Sequence, residues 1–217
     1  MIYNIYKPPG WTSFDVVKKI RIITKEKKVG HAGTLDPFAE GVLIIGTGMD
    51  TKSLSEISNT SKSYRANLKL GESTDTFDNE GKIIAKLPIP LIDSEFIVKV
   101  LKSFVGEYRH KPPMFSAKKV NGTRLYKLAR QNKTVDREVI ISNISKINFN
   151  KFDGERISFS VSCSKGTYIR VLGNEIACKL GTVGYLDGLT RTSVGSYNVS
   201  ESTSIKEFEK QWKSIKV

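Results

Sequence analysis

Residues 29–43 (VGHAGTLDPFAEGVL) place a histidine and an aspartate in a loop that runs directly into an apolar stretch. Gly30 and Gly33 permit backbone conformations that other residues resist. Pro37 fixes its own φ angle and disfavours a helical conformation at Asp36. We therefore predict that Asp36 is held on extended backbone beside a buried strand, which fixes the direction of its carboxylate. The alternative is an aspartate that completes an ordinary turn.

Basic residues are concentrated in two segments of a chain whose formal net charge is +13. Residues 99–133 contain ten lysines and arginines and one acidic residue, and residues 18–28 contain six and one. Such clustering is typical of a surface that binds the phosphates of a nucleic acid, although a lysine-rich solvated surface is the alternative. An anionic membrane is disfavoured because neither segment pairs its charge with a strongly apolar helical face.

Composition narrows the class of protein and its compartment. A chain of 217 residues, 39% hydrophobic and 26% charged, is typical of a soluble globular protein with a proper core. No apolar run approaches the roughly 20 residues that cross a bilayer, and the N-terminus shows no signal-peptide pattern. Cys163 and Cys178 do not indicate a disulfide framework, and Cys163 fits a small core residue. We expect a cytoplasmic protein with no membrane association.

Alternating and apolar patterns predict several strands. They cover residues 1–6, 42–45, 64–70 and 157–164. Strands and helices are mixed without a regular βαβ order, which favours the α+β class over a doubly wound parallel sheet.

Three helices are predicted between these strands. The first begins with Ser13 as its N-cap, the second extends from Asp93 to about Ser103, and the third occupies residues 169–180 and ends at Gly181. Their inward-facing residues share helical spacing and are Phe14, Val17, Ile20 and Ile23, then Phe96, Ile97, Val100, Leu101 and Phe104, then Ile169, Leu172, Ile176 and Leu180.

Four segments together resemble the TruB family of tRNA pseudouridine synthases. They are residues 7–13 (KPPGWTS), 30–43 (GHAGTLDPFAEGVL), 112–122 (PPMFSAKKVNG) and 163–170 (CSKGTYIR). Their order and spacing match the family, and the resemblance extends from the N-terminus to about Gly195. A lone Asp-Pro or Lys-Pro pair carries no such information, whereas four collinear motifs do.

The resemblance implies an enzyme that isomerises uridine to pseudouridine at position 55 in the TΨC loop of tRNA. It implies the α+β pseudouridine-synthase fold, with a mixed, mostly antiparallel sheet flanked by helices and RNA-binding loops. Because the reaction needs neither an oxidant nor a hydrolytic water, no metal and no organic cofactor are implied. The tRNA stem-loop is the implied partner, no protein partner is implied, and a monomer is expected.

Asp36 matches the catalytic aspartate of the family. Two routes fit a carboxylate: attack on the sugar C1′ or the uracil C6, or removal of a ribose proton to give a glycal intermediate. A carboxylate that stays ionised in a desolvated pocket needs a countercharge, and Arg170 matches the family arginine that pairs with it. The alternative for Arg170 is a salt bridge on a helix surface.

Five other residues are expected around the target base. Tyr64 matches a tyrosine that packs on the uracil, and His31 matches a histidine that wedges into the loop to hold the base out. Leu189 matches an apolar pocket residue. Tyr168 is expected to bind the substrate. Lys7 is expected to lie in the wall around the catalytic loop. Core positions are the alternative for Tyr64 and Leu189, and a structural role is the alternative for His31.

The resemblance also divides the chain. Residues 1–195 are expected to form the catalytic domain, with a basic surface excursion at about residues 107–133. The cations in that excursion are expected to contact phosphates, and they are Lys118, Lys119, Arg124, Lys127 and Arg130. Residues 196–217 are enough for one helical tail, whereas bacterial relatives usually continue into a C-terminal RNA-binding domain of the PUA type.

Three positions depart from the family pattern. His110 stands where glutamine is usual, Thr190 where arginine is common, and Glu40 where a small hydroxyl residue is frequent.

Two other functions are weighed against the active tRNA synthase: an RNA-binding or tRNA-folding protein that lost the reaction, and a synthase for ribosomal or small nuclear RNA. The presence of Asp36, Tyr64 and Arg170 argues against the first. Residues 112–122 argue against the second.

Overall fold

The apolar run after the aspartate loop forms strand β3 (Glu40–Thr47) in the computed structural model of the chain, as predicted. Every residue of β3 after Glu40 is buried. Strand β3 pairs antiparallel with β1 (Ile2–Lys7) and β2 (Val29–Ala32), and parallel with β12 (Gly184–Val194). The loop between β2 and β3 is therefore fixed at both ends by the same sheet.

The structure describes residues 1–120 and 122–215, which form two compact units. Unit 1 comprises Met1–Arg65 and the chain from Leu189 onward, and unit 2 is Ala66–Gly188. The chain crosses from one unit to the other within β4 (Lys62–Leu70) and within β12.

Unit 1 combines its strands with short helices. Its remaining elements are α1 (Ser13–Thr24), a 3-10 helix (Gly48–Lys52), α2 (Leu54–Asn59), β13 (Tyr197–Asn198), a second 3-10 helix (Val199–Glu201), β14 (Thr203–Ser204) and α6 (Ile205–Ile215). Helix α6 buries Ile205 and Phe208 in one apolar cluster with Ile5 of β1 and Ile20 of α1. Residues 216–217 of the predicted tail lie outside the described residues.

Helix α1 differs from its prediction at the first turn. Thr12, and not Ser13, is the N-cap, and it forms a reciprocal capping box with Asp15. The Ser13 side chain is turned inward, where it finds polar partners in the backbone of Leu35. Phe14 is consequently exposed, so its predicted inward position is wrong.

Unit 2 contains the longest strands. Its elements are β5 (Glu72–Thr74), β6 (Ile83–Lys86), α3 (Ser94–Lys102), β7 (Gly106–His110), β8 (Lys119–Val120), β9 (Thr123–Arg124), α4 (Leu125–Ala129), β10 (Ile140–Phe152), β11 (Arg156–Cys163) and α5 (Ile169–Lys179). Strand β10 pairs antiparallel with β11 and with β7. Strand β1 pairs parallel with β14, and β3 pairs parallel with β12. Antiparallel pairs are more numerous and include β1–β3, β2–β3, β5–β6, β7–β10, β8–β9, β10–β11 and β12–β13, which confirms a mixed, mostly antiparallel α+β fold.

The predicted helices of unit 2 are present with small changes. Asp93 is the N-cap of α3, and its carboxylate accepts a hydrogen bond from the backbone N–H of Phe96 at 2.8 Å. The ring of Phe96 is exposed, so its place in the inward stripe is wrong, whereas Ile97 is fully buried. Helix α5 ends before Gly181, which has a φ of +86° as its stop signal requires.

The basic excursion is more ordered than its sequence pattern indicates. Its first residues belong to β7, where Tyr108 and His110 are buried, so this part is sheet and not surface. The rest forms the β8–β9 hairpin and the short helix α4, whose Leu125 is fully buried. Asn121, within the third motif, lies outside the described residues.

Candidate active site

The loop that carries Asp36 is fastened to helix α1. The Ser13 hydroxyl accepts a hydrogen bond from the Leu35 N–H at 2.9 Å and donates one to the Leu35 carbonyl at 3.1 Å. The carbonyl of Asp36 accepts from the Ala39 N–H at 3.2 Å, so Asp36 also opens a turn. The side chain of Asp36 is half-buried. The turn is therefore present and the loop is anchored beside Asp36, whereas the fixed direction of the carboxylate stays a prediction.

Lys7 binds backbone carbonyls of the same loop and of the segment that follows β1. Its ammonium donates to the carbonyls of Pro37 at 3.1 Å, Pro8 at 2.9 Å and Trp11 at 2.6 Å. The Gly10 N–H donates to the Pro37 carbonyl as well, at 2.8 Å. Because Lys7 is fully buried, it fits the predicted wall around the loop as a positioning residue and not as a direct RNA contact.

Arg191 of β12 is a second buried cation on this loop, and sequence reasoning missed it. Its guanidinium donates to the carbonyls of Val42 at 2.8 Å, Gly33 at 3.1 Å and Thr34 at 3.4 Å. Three carbonyls on one planar donor group fix the start of the loop against β3. The available signal was an arginine at an inward position of an otherwise apolar alternating strand.

His31 lies on β2, just before the loop that carries Asp36. It lies opposite Ile45 of β3 and is half-buried. Burial lowers the pKa of the His31 imidazole, and the positive charge of Arg191 lowers it further. A neutral imidazole is therefore favoured near pH 7, and its predicted role as a wedge stays a prediction.

Tyr64 and Leu189 belong to the same unit as Asp36. Tyr64 lies on β4 and Leu189 on β12, and both side chains are classed as buried. Burial suits both the floor of a pocket and a plain core position, so their roles stay predictions.

Two of the unusual residues near the loop pair with each other. The Thr190 hydroxyl donates to the Glu40 carboxylate at 3.2 Å, where β12 meets β3. Burial and the hydrogen bond and negative charge of Glu40 raise the pKa of the Tyr6 hydroxyl to about 12. Glu40 thus has local partners in unit 1.

Arg170 occupies the first turn of α5 in unit 2 and is 3% exposed. Its guanidinium donates to the carbonyls of Thr76 at 2.6 Å and Phe115 at 2.8 Å. It also lies 3.4 Å from the carboxylate of Asp78. The alternative of a salt bridge on a helix surface is therefore wrong, and the pairing of Arg170 with Asp36 stays a prediction.

Asp78 is the other functional candidate that sequence reasoning missed. It is buried, and its carboxylate accepts hydrogen bonds from the Thr76 hydroxyl at 2.5 Å and the Glu80 N–H at 3.1 Å. Those bonds orient the carboxylate that faces Arg170. The available signal was the acidic turn of residues 74–81 (TDTFDNEG). Aspartate side chains in such turns commonly accept hydrogen bonds from nearby backbone N–H groups.

Tyr168 is the N-cap residue of α5, immediately before Ile169 and Arg170. Its backbone N–H donates to Nε2 of His110 at 3.4 Å, and the two rings meet edge to face with centroids 5.9 Å apart. His110 also stacks on Tyr108, with centroids 4.4 Å apart. His110 is thus part of the support of α5 and does not face RNA directly.

The predicted phosphate contacts lie on the hairpin and helix of the excursion. Lys119 and Arg124 occupy β8 and β9, and Lys127 lies on α4. These three and Arg130 are exposed, whereas Lys118 is half-buried. Their exposure is compatible with RNA contact, which stays a prediction.

Within residues 1–120 and 122–215, no group of three or more His, Cys, Asp or Glu side chains is placed to hold a metal ion. The helices of this described part are all too short or too polar to cross a membrane.

Comparison with known proteins identifies the family. The model of the TruB family pseudouridylate synthase N-terminal domain matches residues 21–169. Proteins named tRNA pseudouridine synthase B from Clostridium acetobutylicum and Clostridium tetani are 46% and 45% identical over 210 residues. Those matches cover 97% of this chain and 72% and 73% of the relatives.

A solved structure of a Cbf5-Nop10-Gar1 complex has a similar fold. It superimposes with a TM-score of 0.78 at 26% identity, covering all of this chain and 56% of that chain. The present chain therefore spans little more than half of that structural relative. Taken with the family match and the bacterial relatives, the fold shows that this chain belongs to the TruB family of pseudouridylate synthases, enzymes that isomerise uridine to pseudouridine.

Proposed function

We propose that this enzyme modifies uridine 55 in the TΨC loop of tRNA and that Asp36 supplies the reacting carboxylate. The observation that carries the proposal is the way the Asp36 loop is held. Ser13, Lys7 and Arg191 bind its backbone from three directions, while the Asp36 side chain remains half-exposed. A reacting group gains most when its direction is fixed before the substrate binds.

The reaction conserves all the atoms of the nucleoside. The N1–C1′ bond breaks, the uracil turns, and a C5–C1′ bond forms while the C5 proton leaves and N1 gains a proton. Asp36 can act as a nucleophile toward C1′ or C6, or as a base toward the ribose, and both routes require the same carboxylate. The target base must leave the stack of the loop, and stacking on Tyr64 would offset part of that cost.

The decisive experiment measures tritium release from unmodified tRNA that carries 5-³H-uridine. Wild-type protein is expected to release the label, and Asp36→Asn is expected to release none while it still binds tRNA. The substitution removes the reacting carboxylate at nearly constant shape. Mapping the product to position 55 would establish the site of modification.

Two controls separate the other functions. A tRNA with cytidine at position 55 is expected to release no label from the TΨC loop. Release from ribosomal or small nuclear RNA, but not from tRNA, would instead identify a synthase of different specificity. tRNA binding without release by the wild-type protein would identify an RNA-binding protein that lacks the reaction.

A further inference from the structure

Helix α1 and the residue before its N-cap expose large apolar side chains beside cations. Trp11, Phe14 and Ile22 are 36%, 54% and 72% exposed, although α1 buries Val16 and other residues in the core. Large exposed apolar groups of this kind mark surfaces that meet a partner. Trp11 and Phe14 are three positions apart in sequence, at the start of the helix.

Cations share this face of the helix. The Lys18 ammonium lies 4.9 Å from the centroid of the Phe14 ring, within the range of a cation–π contact. Positions 14, 18 and 21 recur at helical spacing, and Arg21 is exposed. The acid of this helix, Asp15, is engaged by the capping box and lies 3.9 Å from the Lys18 ammonium. From Phe14 to Arg21 the face is a basic stripe about 10 Å long at 1.5 Å per residue. The exposed Lys25 follows it as the left-handed C-cap residue.

The stripe begins at the loop that carries Asp36. Gly10, next to Trp11, donates its N–H to the Pro37 carbonyl at 2.8 Å, and Ser13, next to Phe14, binds the Leu35 backbone. These contacts lie within unit 1 and place the exposed rings beside the loop. A strand of RNA that delivers its uridine to Asp36 would pass close to this face.

We propose that Trp11, Phe14, Lys18, Arg21 and Lys25 form an RNA-contact surface beyond the catalytic loop and the basic excursion. An unpaired base or ribose stacks on the exposed ring of Phe14 or Trp11, and the three cations bind successive phosphates of the same strand. Aromatic rings alternating with cations are the usual means of holding a single strand without reading its sequence. The inference rests on the proposed action on tRNA. RNA is favoured over a membrane because two exposed apolar residues on the helix are separated by cations and form no continuous apolar face.

The test measures the dissociation constant for unmodified tRNA at several salt concentrations, using the full chain. Phe14→Ala is expected to raise Kd about tenfold through lost stacking, and Phe14→Tyr to restore it. Lys18→Ala, Arg21→Ala and Lys25→Ala together are expected to reduce the slope of log K against log salt by about 2 to 2.7, because each phosphate contact contributes about 0.7 to 0.9.

A matched triple variant removes the same charge elsewhere in unit 1, at the exposed residues Lys52, Lys210 and Lys213. The proposal fails if this control changes the salt slope as much as the stripe variant does, or if Phe14→Ala leaves Kd unchanged. It also fails if the stripe is needed for binding to vesicles of anionic lipid and not for binding to tRNA. Unchanged thermal unfolding of Phe14→Ala would show that a change in Kd does not reflect unfolding.

The outcomes separate this surface from the proposed function. Reduced tRNA binding by the stripe variants, with no tritium release by the wild type, would support the surface and overturn the reaction. Tritium release at position 55 with unaltered binding by the stripe variants would do the reverse.

Discussion

At the scale of single residues, the most consequential feature is the burial of charge beside backbone carbonyls. Lys7, Arg191 and Arg170 are all buried, and each donates to at least two carbonyl oxygens. Such groups are costly to bury unless their donors are satisfied, so each fixes the segment that supplies its acceptors. The Asp36 loop and the start of α5 are therefore held by cations that do not reach solvent.

Asp78→Asn is expected to destabilise the fold by about 3 kcal/mol and to reduce turnover. The substitution removes the negative charge that lies 3.4 Å from the buried guanidinium of Arg170. Urea unfolding and tritium release measure the two effects. Asp75→Asn is the matched control, because Asp75 is exposed and its carboxylate accepts a hydrogen bond from the Lys82 N–H. Equal losses in both variants would contradict a special role of the buried charge.

His110 is expected to make stability depend on pH. Burial lowers the pKa of its imidazole below the ordinary 6.5, although carbonyl contacts of Tyr108 and Gly166 oppose the shift. Below pH 6.5 the unfolded chain therefore binds more protons than the folded chain, and stability falls as the pH is lowered. His110→Gln should flatten the difference in unfolding free energy between pH 7 and pH 5. An unaltered pH dependence would exclude this histidine as a source.

At the scale of elements, hydrophobic periodicity predicted where the strands and helices lie but not every side chain that faces the core. In α1 the inward stripe contains Ser13 and Thr24, which are buried because the backbone satisfies their hydroxyls. Phe14 is displaced to the outside as a result. Hydrophobicity alone does not anticipate this, because the partner of Ser13 is Leu35, which lies 22 residues away.

The candidate site shows the same division. Pro37 and the neighbouring glycines indicated a shaped loop, and the four motifs that resemble the TruB family pointed to Asp36 within it. Arg191 and Asp78 were missed because their importance comes from partners that only the folded chain brings to them. Short-range patterns predict where a loop is, whereas long-range contacts decide which residues hold it.

Gly41→Ala is expected to destabilise unit 1 by more than about 2 kcal/mol. Gly41 has a φ of +103°, and a Cβ atom there would clash with the carbonyl oxygen of Arg191 where β3 pairs with β12. Gly154→Ala is a strict comparison, because Gly154 has a φ of +97° but no atom within 4 Å of the added carbon. Denaturant unfolding should show the larger loss for Gly41→Ala, and equal losses would rule out the clash.

At the scale of the whole molecule, the net charge of +13 predicts RNA binding that weakens with salt. Replacing Lys118 and Lys119 with glutamate is expected to lower the salt slope of tRNA binding by at least about 1.4 to 1.8, for two phosphate contacts. The same replacement at Lys52 and Lys210 controls for net charge. If the two double variants behave alike, the β8–β9 hairpin is not part of the RNA interface.

The anchoring of the Asp36 loop by Arg191 also has a consequence for synthesis on the ribosome. Arg191 lies 158 positions after Gly33, whose carbonyl it binds, so the loop emerges long before one of its main anchors is translated. Unit 1 cannot be completed until its second segment, from Leu189 onward, has left the exit tunnel, whereas unit 2 is continuous in sequence. A nascent chain stalled before residue 189 would carry every residue of the loop and yet lack the guanidinium that fixes it, so we expect the loop to become fixed only after β12 has been translated.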